Sequence, residues 1–294
     1  MFNTLKYYKL WFVISGLIIA FGILSLASFG LKLGIDFTGG SLIQLKFKQP
    51  VNQSFLNTSL EKNGVKNAQI QASENNGVII KTHPLKKSDY DQLILKLKSE
   101  VGEFEEAQFE TIGPVIGKEL KEKAFYQLLL VSIGILVYIG YAFRKVAKPV
   151  SPWKFGICAV IALFHDLLFM LGFFSILGKF YGVEVDSMFV TAVLTVLGFS
   201  VHDTIVVFDR IRENLKHSLG QSVEQTINIS ISQTIVRSLN TSLTVLFVLL
   251  ALLLFGGVTI KYFVLALFVG IIVGTYSSIF IASPALMLLQ KNRS

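Results

Sequence analysis

Apolar segments long enough to cross a bilayer dominate this chain of 294 residues. A membrane-spanning helix needs about 20 mostly apolar residues, and it satisfies its backbone hydrogen bonds internally, which few other structures can do in lipid. The mean hydropathy of +0.62 and the 25 phenylalanines agree with an integral membrane protein. The six predicted spans are Leu10–Phe29, Phe125–Phe143, Phe155–Leu177, Ser187–Phe208, Leu239–Phe255 and Tyr262–Leu289.

The spans divide the chain into three parts. Residues 1–30 are predicted to hold a short tail and an uncleaved first span, because the apolar core of a signal peptide has only about 7–15 residues. Residues 31–124 form a polar domain, and residues 125–294 form a bundle of five further helices. The predicted fold class is therefore an α-helical polytopic membrane protein with an α+β domain between its first two transmembrane helices.

Basic residues predict the orientation of the chain. The net charge is +8, but the polar domain is nearly neutral, so the excess lies in short segments beside the membrane and does not indicate nucleic-acid binding. By the positive-inside rule both termini are predicted to be cytoplasmic and residues 31–124 extracytoplasmic. The cations used are Lys6, Lys9, Arg144, Lys145, Lys148, Lys154, Arg210, Arg212, Lys216, Lys291 and Arg293.

The sequence pattern of the polar domain predicts a definite order of strands and helices. Alternating apolar residues predict strands, Glu74-Asn75-Asn76-Gly77 predicts a hairpin turn, and two segments have helical spacing. The order β-α-β-β-α-β is that of the ferredoxin-like fold, in which both helices cover one face of the sheet and leave the other face for a partner. The predicted bounds are Ile35–Phe47, Asn52–Lys62, Val65–Ala72, Val78–Thr82, a helix beginning near Ser88, and Phe104–Ile112.

Two aspartates fall inside predicted spans. Asp203 precedes the charged end of the fourth span, and at ~1.5 Å per residue its carboxylate lies roughly 7–9 Å inside the hydrocarbon edge. An unpaired charge there costs at least about 2.5–3.5 kcal/mol, so the residue is expected to face a partner or a water cavity and to handle protons. Asp166 lies near the midplane; it is either part of a proton pathway or a protonated carboxyl hydrogen-bonded to a neighbouring helix.

Arg237 and two histidines are the other ionisable candidates. Arg237 lies at the start of the fifth span. It is either a partner that Asp203 binds and releases as it changes its charge, or an orientation charge, meaning a cation that only sets the orientation of the chain in the membrane. His165 and His202 each precede an aspartate, but adjacent helix positions point about 100° apart, so neither need share a face with its neighbour. We retain Asp203, Arg237, Asp166 and His202 as the candidate proton-coupling residues.

Other patterns indicate packing. Gly270, Gly274, Ser278 and Ala282 recur every four residues in the sixth span, and Gly16 with Ala20 repeats the pattern in the first. The segment Ser218–Val236 is predicted to lie along the cytoplasmic interface. The sequence has no Walker motif, paired-cysteine metal site or nucleophile–base set, and its one cysteine, Cys158, forms no intrachain disulfide. No enzyme activity, cofactor or metal is expected.

Three segments resemble the SecF family of bacterial protein export. They are GIDFTGGSLIQLKF (Gly34–Phe47), TIGPVIGKEL (Thr111–Leu120) and GFSVHDTIVVFDRIREN (Gly198–Asn214). The resemblance covers the whole chain and implies a subunit of the bacterial inner membrane, similar in architecture to half of a proton-driven transporter of the RND superfamily. It implies that the chain works with SecD, uses the proton motive force, and assists transport of exported polypeptides through the SecYEG channel.

The resemblance also assigns residues. It places the family's essential fourth-span aspartate at Asp203, its fifth-span arginine at Arg237 and a common third-span aspartate at Asp166. His202 stands where the family commonly has asparagine, so it either adds a titratable group or substitutes one hydrogen-bonding side chain for another. Two other functions stay open from the residues: half of an RND-type exporter of small molecules or lipids, and a non-conducting scaffold of the translocon.

Overall fold

A computed structural model of the protein describes residues 4–144, 151–217 and 221–291. Within them six helical segments are long and apolar enough to cross a membrane, which confirms the predicted number of spans. In chain order the elements are α1 (Tyr8–Phe29), α2 (Ile35–Thr38), β1 (Gly40–Phe47), α3 (Gln53–Lys62), β2 (Gln69–Ala72), β3 (Gly77–Thr82), α4 (Lys87–Val101), β4 (Phe104–Ile112), α5 (Pro114–Ala142), α6 (Pro152–Tyr181), α7 (Ser187–His217), α8 (Val223–Phe255), α9 (Lys261–Ser277) and α10 (Ser283–Lys291).

Two membrane helices extend well beyond their predicted apolar spans. Helix α5 begins at Pro114, because proline suits the first helical position and the charged residues that follow are good helix formers. Helix α8 begins after Ser222, whose side chain forms a reciprocal capping pair with Gln225. The interfacial helix predicted for Ser218–Val236 is therefore wrong, since Ile227 and Ile231 are fully buried against the bundle. Residues 218–220, Lys145, Lys148 and Arg293 lie outside the described residues.

The sixth span is interrupted near its end. Helix α9 passes through one π-helical turn, Ser278–Ala282, into α10, and Pro284 follows directly. A proline cannot donate the usual backbone hydrogen bond and its ring crowds the preceding turn, so the helix widens there. The sixth span therefore continues past this point as a helix with one widened turn.

The polar segment folds as a four-stranded antiparallel sheet with strand order β2-β3-β1-β4. Its elements follow as strand, helix, strand, strand, helix, strand. The predicted first strand is too long, because Ile35–Thr38 forms the short helix α2 and β1 starts at Gly40. Helices α3 and α4 pack on one face over an apolar core that includes Ile43, Leu45, Ile80 and Leu97.

The opposite face of the sheet is not entirely free. Lys81 of β3 forms an ion pair of 2.6 Å with Glu184, in the loop between α6 and α7. Gln69 of β2 accepts a hydrogen bond from Lys32, in the linker after α1. Part of the face that we predicted to be free for a partner therefore rests on this chain's own membrane bundle.

Small residues bring α7 and α9 into close contact. A Cβ on Gly270 would lie 2.4 Å from Val196, and one on Gly274 would lie 2.9 Å from the Ser200 side chain. One turn further, the hydroxyls of Ser278 and Thr204 share a hydrogen bond of 3.0 Å. The small-residue stripe predicted in the sixth span is a packing surface that fits α7 turn by turn.

The first span makes its close contact at a different glycine from the one predicted. A Cβ on Gly172 of α6 would lie 2.5 Å from the Cα of Gly22, so α1 and α6 touch through backbone atoms. Gly16 faces open space, with nothing within 4 Å of a Cβ placed there. The proposed role of Gly16 in helix packing was therefore wrong.

Candidate functional site in the membrane bundle

Asp166 lies at the centre of the bundle, where α6, α7 and α9 meet. It is fully buried, and its Oδ2 atom accepts hydrogen bonds from the hydroxyls of Ser200 at 2.6 Å and Ser277 at 2.9 Å. Its Oδ1 atom lies 3.0 Å from Nδ1 of His165. Three side chains from three helices therefore converge on one carboxyl group, which joins those helices through polar contacts.

The close packing of α7 and α9 explains this convergence. Gly274 has no side chain to separate the helices, so the Ser200 and Ser277 hydroxyls lie near enough to reach the same oxygen. Serine inside a membrane helix commonly bonds its own preceding turn, and Ser277 also donates to the Gly274 carbonyl. Neither serine was singled out from the sequence, although Ser277 directly precedes Ser278 of the small-residue stripe.

Asp203 lies one helical turn after Ser200 on α7, and the two residues share a face. Its side chain is only 6% exposed. Its Oδ2 atom has no hydrogen-bond partner among the described residues, in contrast to the saturated carboxyl of Asp166. The hydroxyl of Ser238 on α8 lies close enough to influence this carboxyl group. Ser238 Oγ nevertheless completes no hydrogen bond within the described part of the chain.

A buried carboxyl oxygen without a donor is costly when the group is charged and tolerable when it carries a proton. Asp203 has this property and Asp166 does not. The two aspartates therefore differ in their surroundings: Asp166 accepts hydrogen bonds from two serines, whereas one oxygen of Asp203 has no donor among the described residues. Thr204 follows Asp203 and bonds Ser278, so the polar cluster continues across the helix contact.

The structure does not bring Arg237 to Asp203. Arg237 is exposed on α8, and among the described residues no ion pair involves its guanidinium. It directly precedes Ser238, whose side chain turns inward, so the arginine lies beside the Asp203 region and points to the outside of the bundle. The proposed Arg237–Asp203 pair is absent from this arrangement, and its formation would require Arg237 or α8 to move.

The histidines behave differently from each other. His202 is exposed on the outer face of α7, whereas His165 is 7% exposed and bonds Asp166. The His165 ring also lies near the ring of Tyr276, tilted by 33° with 6.1 Å between centroids, and the Tyr276 hydroxyl shares a hydrogen bond with Ser15 on α1. Sequence reasoning passed over His165 because adjacent helix positions diverge, but a flexible χ1 lets the ring turn back to its neighbour's carboxyl.

Asp166 is expected to contribute strongly to stability. In Asp166→Ala the Ser200 hydroxyl and the His165 ring lose their partner, and each stranded buried group costs about 1–3 kcal/mol, whereas Ser277 still donates to the Gly274 carbonyl. We expect a clearly lower melting temperature for the detergent-purified protein. Asp166→Asn keeps one acceptor oxygen for the serines and should lie much nearer the wild type. A melting temperature for Asp166→Ala equal to that of wild type would contradict this role.

Comparison with known proteins identifies the family. Residues 93–292 match the model of the protein export membrane protein SecD/SecF C-terminal family, and residues 24–51 match that of the SecD/SecF GG motif. The chain is 47% identical to the protein translocase subunit SecF of Thermobaculum terrenum, over 98% of this chain and 93% of that protein. It is 39% identical to the SecF subunit of Sebaldella termitidis, over 98% of this chain and 92% of that protein.

A solved structure shows the same fold. The crystal structure of SecDF from Thermus thermophilus, described as a translocon-associated membrane protein, superposes with a TM-score of 0.85 at 36% identity. The match covers 99% of this chain but 39% of the SecDF chain, so this protein corresponds to well under half of that molecule. The sequence and the fold agree, and the chain belongs to the SecD/SecF family of protein export membrane proteins.

Proposed function

We propose that this chain, with a SecD partner, uses the proton motive force to assist the transport of exported polypeptides through the SecYEG channel. The observation that carries the proposal is the buried Asp203 carboxyl, whose Oδ2 atom has no hydrogen-bond partner among the described residues. A group in this setting alternates between a neutral form that the bundle tolerates and a charged form that calls for a partner. Arg237 is the proposed partner.

The energy available to such a switch is adequate. One elementary charge that crosses 100 mV is worth about 2.3 kcal/mol, so a few protons suffice to bias two packings of a helix bundle. Asp166 is proposed to anchor the helices through which the proton passes, and His202 to sit at the entry from the exposed face of α7. These roles use only groups that the chain itself supplies, and the proposal includes no cofactor, metal or enzymatic step.

The proposed orientation places both termini in the cytoplasm and the protein in the bacterial inner membrane. Residues 1–30 hold the tail and first helix, residues 31–124 the extracytoplasmic domain, and residues 125–294 the bundle. The strand order and the helix–strand alternation of the domain support a ferredoxin-like fold. The domain is thereby proposed to lie on the side where exported chains emerge.

The membrane face of α7 and α8 supports the proposed partnership with SecD. Thr195 and His202 are exposed two turns apart on α7, and Arg237, Asn240 and Thr241 are exposed together on α8. The two threonine hydroxyls donate to carbonyls of their own helices, but lipid chains offer His202, Arg237 and Asn240 no hydrogen bonds, so this face favours contact with another protein or a water-filled crevice. An SecD subunit that packs here would complete the site around Asp203.

Site-directed cross-linking tests this assignment. With Cys158 replaced by alanine, Thr241→Cys on the polar face, labelled with a thiol-attached photo-cross-linker, should cross-link to SecD in native membranes, and SecD and SecYEG subunits should co-purify. Leu130→Cys is the matched control, because Leu130 is 74% exposed on the apolar surface of α5. Equal cross-linking from both positions, or a purified complex without SecD, would contradict the proposal and favour the exporter or scaffold functions.

A further inference from the structure

Asp36 caps the helix that carries Asp203. It lies in α2, in the linker between α1 and β1, yet its Oδ2 atom accepts a hydrogen bond of 2.8 Å from the backbone N–H of Ser187, 151 residues away. The Ser187 hydroxyl donates to the same oxygen. Ser187 is the first residue of α7, and the first N–H groups of a helix have no intrahelical acceptor. Asp36 supplies that acceptor.

A second carboxylate completes this end of α7. Asp186 accepts a hydrogen bond of 2.9 Å from the N–H of Phe189. Burial raises the pKa of Asp186, the bond from Phe189 lowers it, and the neighbouring Asp36 carboxylate raises it again. The positive end of the helix dipole and Lys81 make two adjacent carboxylates tolerable here. Asp186 therefore caps α7 from the adjacent loop, and Asp36 caps it from the linker that leads to the domain.

Backbone hydrogen bonds join the linker after α1 to the loop that precedes α7. The N–H of Gly34 donates to the carbonyl of Val185 at 2.8 Å, and the N–H of Val185 donates to the carbonyl of Lys32 at 2.7 Å. The ion pair between Lys81 and Glu184 adds a contact from the sheet to the same loop. Backbone hydrogen bonds on both sides of Val185 mean that loop and linker move together.

On its other side, α2 contacts helix α5 and runs directly into the sheet. A Cβ on Gly117 of α5 would lie 2.9 Å from the backbone nitrogen of Gly39, which follows α2, and one on Gly40 would lie 2.7 Å from the carbonyl oxygen of Thr82 in β3. Such backbone approach leaves α2 little room to shift alone. Gly40 begins β1, which pairs with both β3 and β4, so α2 is continuous with the middle of the sheet.

From these contacts we propose that Asp36 is a positioning residue that passes movement of α7 to the α/β domain; the inference rests on the proposed function of Asp203. Helix α7 is continuous from Ser187 to Asp203, about 24 Å at 1.5 Å per residue. A continuous helix moves as a rod, so a shift that begins at Asp203 reaches Ser187. Asp36 connects the Ser187 end of α7 to α2, the segment that leads directly into β1.

The test uses the full chain in its membrane complex with SecD and two measurements. The first is the stimulation of precursor export by a proton gradient. The second is the distance between spin labels at Ser99→Cys on α4 and Tyr181→Cys at the end of α6, both exposed. Each is compared with and without Asp203→Asn, which imitates the neutral aspartate. The variants are Asp36→Ala, Asp36→Asn and the control Asp91→Ala, an exposed aspartate that pairs with Lys87.

We expect Asp203→Asn to shift the label distance in the chain that retains Asp36, and Asp36→Ala to remove this shift. Loss of an N-terminal cap biases a helix equilibrium by about fivefold, so stimulation should fall by about that factor. Asp36→Asn should keep most of both responses, because an amide oxygen accepts the same two hydrogen bonds. Ser187→Pro tests the contact from the other side, since proline suits the first helical position but offers Asp36 no donor.

The outcomes separate this inference from the function on which it rests. If Asp36→Ala and Ser187→Pro match Asp91→Ala in both measurements while Asp203→Asn loses stimulation, the coupling role of Asp36 is overturned and the function of Asp203 stands. If Asp203→Asn changes neither stimulation nor label distance, the proposed function fails and the coupling fails with it. If Asp36→Ala does not accumulate, Ser187→Pro decides by the same criteria.

Discussion

Replacing Asp203 by asparagine is expected to abolish the proton-dependent stimulation of export. Asparagine keeps the size and hydrogen-bonding capacity of the side chain but cannot exchange a proton. Because Oδ2 of Asp203 makes no hydrogen bond within the described residues, the substitution strands no existing donor, and the protein should insert and assemble normally. Pulse-labelling of a secreted precursor in cells should show slow maturation, at the rate seen when the subunit is absent.

Asp209→Asn is the matched control for this experiment. Asp209 lies further along the same helix, is exposed, and pairs with Arg212 at the surface, where an ion pair is worth little. We expect this variant to mature the precursor at the wild-type rate. Wild-type maturation in Asp203→Asn, with normal levels of the complex, would remove Asp203 from the mechanism.

Arg237 is expected to act together with Asp203. If Arg237 were only an orientation charge, Arg237→Lys would be silent, since either cation satisfies the positive-inside rule. A partner that must reach across from the exposed face of α8 needs a planar group with several fixed donors, which lysine lacks. We therefore expect Arg237→Lys to keep its orientation and lose much of the stimulation, and Arg237→Ala to lose nearly all of it.

A double-mutant cycle measures whether the two residues form one unit. Asp203→Asn combined with Arg237→Ala should be little worse than either single variant, because residues that act together have non-additive effects. Lys261→Ala provides a control for the loss of a cation near a membrane helix. Independent, multiplicative losses in the cycle, or an Arg237→Lys variant indistinguishable from wild type, would return Arg237 to the role of an orientation charge.

The parts of the fold that depend on local sequence were predictable. Hydropathy identified all six spans, since a buried apolar surface and closed backbone hydrogen bonding are imposed by lipid on each helix separately. The four-residue repeat of Gly270 and Gly274 identified the packing face of the sixth span, because the period of a helix determines which residues share a face. The alternation of apolar residues likewise predicted strand β1, since a period of two places alternate residues on one face of a sheet.

The parts that depend on distant contacts were not predictable. Nothing local to Asp36 indicates that its carboxylate accepts from Ser187, since this partner is brought close only when the linker bonds the loop at Val185. The donors around Asp166 likewise come from two other helices. The outward position of Arg237 depends on how α8 is rotated in the bundle, which is decided by its contacts with neighbouring helices.

The central claim, that Asp203 links the proton motive force to export, is tested most directly in inverted membrane vesicles. A precursor is arrested late in transit, ATP is removed, and an imposed proton gradient is then present or collapsed by an uncoupler. We predict that the gradient drives completion in wild-type and Asp209→Asn vesicles, and that Asp203→Asn vesicles behave as if the uncoupler were always present. Gradient-driven completion by Asp203→Asn vesicles with normal complex levels would contradict the claim.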